Sequence, residues 1–475
     1  MNRGPLVVVG DLLLDEDIEG EATRLAPDAP APVVDIARVR RRPGGAGLAA
    51  LLAARHGGEV VLVAAAGPGD HEDGARARRA LGDRVRLAGL PLDGTVPVKT
   101  RVLAGGRPLV RLDRGGGTPG SPDAGVLDVL RSARAVLVSD YGRGTADVLR
   151  TALGALAHKV PVVWDPHPRG GPPVPGTRLA TPNAGEAALF SRLPGTSLRA
   201  HADRGADLAA RWEATHVAVT LGARGALLTR ADAAAPLFVP AVRATTGDPC
   251  GAGDCFAATA AAALADGALP EEAVERAVAA AAAFVAAGGA AAVGATGEAP
   301  AEGAGRAHDP APPGDAAALV RRVRARGGTV VATGGCFDLL HAGHVRLLES
   351  AGRIGDCLIV CVNSDASVSR LKGPGRPLTP LADRMRVLAA LASVDAVVAF
   401  DEDTPERLLA TLRPDVWVKG GDYTPDELPE AELLRGWGGQ TVVLPYLDGR
   451  STTSLADRAA RSAHTPSPAA PPAAR

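Results

Sequence analysis

A pair of α/β domains is predicted by three features of this chain. Short aliphatic, β-branched runs recur along it and end in Gly, Asp or Asn; helical stretches separate them; and one aperiodic segment rich in Ala, Gly, Pro and Glu, residues 294–315, interrupts the alternation. A length of 475 residues suits two or three domains. The expected organisation is one domain over residues 1–293, a linker over 294–315, a second domain over 316–460 and a disordered Ser/Pro/Ala tail over 461–475.

Composition excludes several function classes. Hydrophobic residues make up 46% and charged residues 22%, as in globular proteins, and the net charge of −1 gives no field favouring nucleic acid or an anionic membrane. With 3% aromatics there is little material for base stacking, so the basic runs Arg38–Arg42 and Arg321–Arg326 read as solvated faces. Five cysteines without a CxxC pair read as free thiols of a reducing compartment. The apolar run Leu6–Val9 is too short for a signal peptide. Ala277–Val293, broken by Gly288-Gly289, fits a packed helix better than a membrane span. A cytoplasmic protein is expected.

In the first half, Leu6–Val9 is a buried strand running into Gly10-Asp11, with Asp15 following. Val33-Val34-Asp35-Ile36 alternates like an edge strand or lid, and Arg42-Pro43-Gly44-Gly45-Ala46-Gly47 opens a small-residue helix. Val60–Ala64, Ala135–Ser139 (into Asp140-Tyr141-Gly142-Arg143-Gly144), Val162–Trp164 (into Asp165) and Val217–Thr220 (into Gly222) are further strands. A βαβα order predicts a mostly parallel sheet whose ligand lies beyond the C-terminal strand ends. Thr245-Thr246-Gly247-Asp248-Pro249-Cys250-Gly251-Ala252-Gly253-Asp254 precedes an alanine-rich helix from about Cys255. Glycine amides and a helix N-terminus form an anion hole, and Asp254 stands where it can take a proton from an acceptor hydroxyl. Taken alone, Asp254 would read as an N-cap after a glycine turn.

In the second half, Ala316–Arg326 is helical, and Thr329–Ala332 is a strand leading into Thr333-Gly334-Gly335-Cys336-Phe337-Asp338-Leu339-Leu340-His341-Ala342-Gly343-His344. Val345, Leu348 and Gly352 follow at helical spacing, and Leu358–Val362 is the next strand: a βαβ unit with a glycine loop between. Two histidines three apart at a helix start can face one triphosphate; a zinc site is disfavoured because Cys336 and Asp338 are the only further ligand candidates nearby. The loop Arg370–Pro377 carries Lys372 and Arg376, which beside a triphosphate would neutralise a leaving pyrophosphate. Leu381–Leu391 is amphipathic. Val394–Phe400, Val416–Lys419 and Val442–Leu444 are strands, and Ser451-Thr452-Thr453 opens a last phosphate-friendly helix.

These motifs carry two resemblances. Gly-Ala-Gly-Asp at 251–254, Asp248, Asn183 with Glu186, Gly44-Gly45 and Gly10-Asp11 occur in the order seen in ribokinase-like sugar kinases of the PfkB family. Phe337-Asp338 with His341-Ala342-Gly343-His344 resembles the HxGH nucleotidyltransferases. Joined in one chain, they look like the bifunctional heptose kinase/adenylyltransferases of ADP-heptose synthesis, a resemblance covering roughly residues 5–458. It implies a ribokinase-like doubly wound sheet with a small β lid, then a Rossmann-like domain. The implied reactions are ATP-dependent phosphorylation of D-glycero-D-manno-heptose 7-phosphate at O1 and, after a separate phosphatase, AMP transfer from ATP to heptose 1-phosphate.

By the same resemblance, Asp254 is the kinase base, Gly251, Ala252 and Gly253 form the anion hole, and Asn183 and Glu186 organise Mg²⁺ and phosphate, with Thr220 and Gly222 also at the nucleotide. Asp11, Asp15, Gly44, Gly45, Arg111 and Asp140 are placed at the sugar. In the second domain His341, His344 and Lys372 are catalytic, and Thr333, Gly335, Phe337, Arg376, Lys419, Asp422, Ser451, Thr452 and Thr453 bind nucleotide or phosphate. Cys250 stands where the family usually has Thr, Leu48 lies near a usual Asn, and Gly334 stands in a Thr-Asn-Gly string. ATP, Mg²⁺, small sugar phosphates and a homodimer through the kinase domain are implied, with no nucleic-acid or membrane partner. Alternatives with the same architecture are another sugar phosphate, CTP in the second half, or a silent kinase-like half that binds ligand or dimerises.

Overall fold

The computed structural model describes residues 4–27, 29–66, 72–105, 107–231, 236–241, 248–293, 316–420 and 429–444. The chain divides into two compact units, Met1–Gly303 and Ala304–Arg475. The expected linker and tail, and with them Thr245–Gly247, Asp422 and Ser451–Thr453, lie outside the described residues.

The strands of the first unit are β1 (Leu6–Gly10), β2 (Leu12–Ala26), β3 (Ala29–Gly45), β4 (Val60–Ala65), β5 (Arg86–Leu90), β6 (Leu92–Ala104), β7 (Arg107–Pro119), β8 (Ala135–Ser139), β9 (Val162–Asp165), β10 (Leu179–Ala180), β11 (Val217–Thr220), β12 (Gly225–Thr229) and β13 (Leu237–Pro240). The main sheet runs β5-β4-β1-β8-β9-β10-β11-β12-β13, parallel up to β11 and antiparallel at β11–β12 and β12–β13. Its strands read as unbroken apolar runs because both faces are covered. Leu6 and Val8 of β1 join a cluster with the helices Ala46–Ala53, Ala252–Ala265 and Pro270–Ala286, whereas Val7 and Val9 join one with Ala124–Arg131 and Arg150–Ala157. The chain winds outward from β1 through β4 to β5, then returns to β8 on the other side of β1. That reversal opens a crevice beyond Asp11 and Asp140.

The expected edge strand around Val33 belongs to a separate lid sheet, β3-β2-β6-β7, antiparallel except for the parallel β2–β6 pairing. Its strands are longer than the alternation suggested. Most of Ala29–Arg41 is exposed or half-buried, so a polar sequence there still forms strand by pairing along its length.

The second unit carries β14 (Val330–Gly335), β15 (Cys357–Asn363), β16 (Ala396–Phe400), β17 (Val416–Gly420) and β18 (Gln440–Leu444), an all-parallel sheet in the order β18-β17-β14-β15-β16. Its reversal lies between β14 and β17. One correction concerns Gly334 and Gly335, expected in a phosphate loop: both are strand, and the turn begins at Cys336. A Cβ on Gly334 would stand 2.6 Å from the Trp417 ring, so packing of that indole fixes this glycine. All five cysteines are unpaired, as expected. Among the described residues no helix is long and apolar enough to cross a membrane.

Candidate active sites

In the first unit the helix Ala252–Ala265 starts on Gly251, whose φ of 83° is open to glycine at little cost. Asp254 sits in its first turn, 6% exposed, at the crevice. Both its carboxylate oxygens accept from the Tyr141 phenol, at 2.9 and 3.0 Å. Burial pushes its carboxyl up to about 7, against the opposing pull of the Tyr141 hydrogen bond. A carboxylate titrating near neutrality is suited to general-base work. Of the expected anion hole, the Ala252 amide already donates to the Pro249 carbonyl at 3.0 Å, while a Cβ on Gly253 would meet open space.

The substrate-side residues divide into clamps and free groups. Asp11 accepts from three backbone amides, Tyr141 at 3.1 Å, Arg143 at 2.9 Å and Thr145 at 3.2 Å, and thereby fixes the loop after β8. Asp140 accepts from the Gly142 amide at 2.7 Å through Oδ1; among the described residues its buried Oδ2 has no hydrogen-bond partner, and burial pushes the carboxyl up to about 6. Asp15 lies against Gly44, where a Cβ would come within 2.6 Å of its Oδ1, and its pKa is raised by burial despite Arg42, Lys99 and Arg101. Gly45 has φ 56° and a Cβ there would meet the Asp11 carbonyl at 2.5 Å. Arg111 forks onto Asp113 at 2.8 and 2.7 Å on the exposed strand β7.

Asn183 and Glu186 form a capping box on the helix Ala184–Ser191: Asn183 Oδ1 accepts from Gly185 and Glu186, and Glu186 Oε2 accepts from the Asn183 amide at 2.9 Å. The Thr220 amide donates to Pro182, and Gly222 opens a short turn at φ 60°. Leu48 is core, packed where a Cβ on Gly251 would touch it; Cys250 donates its amide to Asp248 at 3.0 Å. Sequence reasoning gave no role to Lys99, whose Nζ lies 4.9 Å over the Tyr141 ring, or to Tyr141 itself. Nor did it place Asp165 in the site. Burial and the neighbouring Asp254 and Glu186 carboxylates hold that carboxyl well above its usual range. A β-strand ending in Asp was the only signal for it.

In the second unit, the turn after β14 passes through Phe337 in the left-handed region (φ 47°). The buried Asp338 then accepts from the amides of Leu378 (2.6 Å) and Thr379 (3.1 Å) and from Arg376 (2.6 Å). His341 caps the helix Ala342–Gly352, its Nδ1 accepting from the Gly343 amide at 3.2 Å, which leaves Nε2–H as the donor in the neutral ring. The His341 and His344 rings lie 3.9 Å apart, with Phe337 5.3 Å from His344. Burial, then His341, then Lys372 press His344 down to about 4.

Thr333 donates to the Val418 carbonyl at 2.9 Å, and Gly335 lies beside the Phe337 ring. Lys419 pairs with the buried Glu430 at 2.8 Å. Lys372 ends its helix exposed. Arg384, hidden in an amphipathic stretch, is 1% exposed and donates to the carbonyls of Thr379, Cys336 and Asn363 and to Asp365. It ties the histidine loop to its neighbours.

Comparison with known proteins settles the family. Residues 146–295 match the pfkB family carbohydrate kinase model and residues 332–453 the cytidylyltransferase-like model. The bifunctional protein HldE of Streptomyces coelicolor is 62% identical over 97% of this chain and 98% of its own length. The chain belongs to the HldE family. The HldE protein of Gluconobacter oxydans is 39% identical over 95% of this chain and 97% of its own. Among solved structures, Arabidopsis thaliana ribokinase complexed with ribose and ATP aligns with 59% of this chain and 92% of its own, at 23% identity and TM-score 0.48. The HldE family chain therefore has the two folds expected, ribokinase-like and Rossmann-like, and is an enzyme with a sugar-kinase half and a nucleotidyltransferase half.

Proposed function

We propose that the first unit phosphorylates D-glycero-D-manno-heptose 7-phosphate at O1 with ATP, and that the second transfers AMP from ATP to heptose 1-phosphate, releasing pyrophosphate and ADP-heptose. The carrying observation is the buried Asp254 carboxylate, poised near neutrality at a helix N-terminus. Asp254 accepts the proton of the O1 hydroxyl, O1 bonds to the γ-phosphorus, and the bond to the β-phosphate oxygen breaks to leave ADP. Amides of the helix start offset the charge on the moving phosphoryl group.

Among the described residues no three His, Cys, Asp or Glu side chains converge as a metal cage. Mg²⁺ carried chiefly by nucleotide phosphates and water would draw on the Glu186 carboxylate through them and would neutralise phosphate charge.

In the second unit a phosphate oxygen of heptose 1-phosphate bonds to the α-phosphorus and the α–β bridge breaks. His341 donates from Nε2, and Lys372 faces the leaving pyrophosphate. Arg376 and Lys419 are ion-paired to Asp338 and Glu430, so their support for phosphate binding requires exchange of partners. A homodimer through the first unit draws support from the exposed apolar residues Ile36, Val39, Leu109, Val110 and Leu112 of the lid sheet.

The test uses the full chain with each sugar phosphate. Asp254→Asn should lose sugar-dependent ADP formation while keeping pyrophosphate release, and His344→Ala should do the reverse. Undiminished ADP formation by Asp254→Asn would remove Asp254 from its role.

A further inference from the structure

Tyr141 follows β8 in a loop whose shape leaves little freedom. Its own amide and those of Arg143 and Thr145 are held by Asp11, at the end of β1. The Lys99 ammonium stands 4.9 Å from its ring centroid, and the His167 ring stacks with it at 6.3 Å. From that seat the phenol reaches across to the helix Ala252–Ala265 and donates to both oxygens of one carboxylate, at 2.9 and 3.0 Å. An O–H placed evenly between two carboxylate oxygens restrains the rotation of the group as well as its charge.

We propose that Tyr141 is a positioning residue of the kinase reaction, its phenol orienting the Asp254 carboxylate toward the acceptor hydroxyl and keeping it ionised. The inference rests on Asp254 being the base. A hydrogen bond to a carboxylate favours the charged form, opposing the burial that favours the neutral one. Of the other groups facing Asp254, Asp15 on β2 disfavours its charge, Lys99 on β6 and the Ser139 hydroxyl at the end of β8 favour it, Asp165 at the end of β9 is itself held above its usual range with Asp254 as one cause, and Cys255 adjoins it. Among the groups that favour the charge the Tyr141 phenol contributes most, ahead of Lys99 and the Ser139 hydroxyl.

The chain has three tyrosines, and Tyr141 is the one in the first unit, the others being Tyr423 and Tyr446. Two opposite perturbations of a single phenol are therefore available in the full chain. Tyr141→Phe removes the donor without changing ring volume. Growth on 3-fluorotyrosine makes the phenol a stronger donor and leaves every other first-unit side chain unchanged. The measurement is the pH profile of kcat/KM for sugar-dependent ADP formation, whose acid limb reports the base in the free enzyme.

The acid limb should move up by about one pH unit in Tyr141→Phe, so that activity at pH 6 falls about tenfold while the alkaline plateau holds within about twofold. With fluorotyrosine the limb should move down. Titration of the substrate phosphates is common to all three proteins and cancels. An acid limb unmoved in Tyr141→Phe, or a loss equal at every pH, would overturn the inference. So would displacement of the limb in the same direction by both perturbations. Asp254→Asn separates this from the underlying reading: persistent ADP formation there removes the base and the inference together, whereas its loss with an unmoved Tyr141→Phe limb removes the inference alone.

Discussion

Replacing Asp254 by Asn should stabilise the first unit, and the gain should grow with pH. Burial lifts this carboxyl from the usual 3.8 to about 7 in the folded protein. A raised folded-state pKa means that the native protein binds the proton more tightly than the unfolded chain does. The group therefore costs nothing below the unfolded pKa, and the cost builds as pH rises to the folded one. Just over three pH units at about 1.4 kcal/mol each give a cost of roughly 4 to 5 kcal/mol above neutrality, against roughly 1 to 2 kcal/mol at pH 5. Asparagine cannot ionise, so it removes this pH-dependent term; any fixed penalty from its buried amide leaves the slope untouched. Hydrogen exchange in peptides covering β1 and β8 isolates the opening of the first unit from that of the second. The ratio of wild-type to variant opening constants should rise about ninety-fold from pH 5 to pH 8, the change equivalent to about 3 kcal/mol. A ratio constant across that range would show that burial does not poise Asp254, and the general-base argument would lose its physical footing.

Two further outcomes concern the second unit. His344 should be neutral at pH 7 in the free protein, titrating near 4, with a stability contribution that is lost as pH falls below 6.5 toward that value; ¹⁵N imidazole shifts read this directly, and a midpoint at 6 or above contradicts it. Arg384→Ala leaves the Cys336, Asn363 and Thr379 carbonyls without their donor and should cost about 3–5 kcal/mol, seen as faster exchange in β14 and β15 with ADP formation by the first unit retained.

The strands and both glycine motifs were legible because they rest on local pattern. A buried parallel strand reads as an apolar run wherever it occurs, and β1, β8, β11, β14, β15 and β17 all announced themselves in that way. The lid was legible only at Val33–Ile36, since strands pairing over a solvated surface carry no hydrophobic period. Gly334 illustrates a different limit: a glycine required by an indole from another strand looks the same in sequence as one required by a turn. Tyr141 and Arg384 escaped for a related reason. Each acts across the fold, on Asp254 113 positions away and on the Cys336 carbonyl 48 positions away, and no spacing rule reaches that far.

A polar residue at a strand end can either meet a ligand or hold the loop that does, and sequence gives both the same look. Hydrogen-bond partners separate them. Asp11 accepts from three backbone amides and Asp338 from two amides and an arginine, so both are committed to loop geometry. Asn183 and Glu186 are committed to each other and to a helix start. Asp254 differs: among the described residues no backbone amide donates to its carboxylate, and a phenol that can be displaced or shared holds it instead. A carboxylate bonded to the backbone has its lone pairs occupied and its charge stabilised, which makes it a poor base. One that is buried and held only by a hydroxyl keeps a lone pair for a substrate proton and a pKa high enough to take it. That criterion supports Asp254 as the proposed base of the first unit, with Asp11 the clamp that holds the Tyr141 loop beside it.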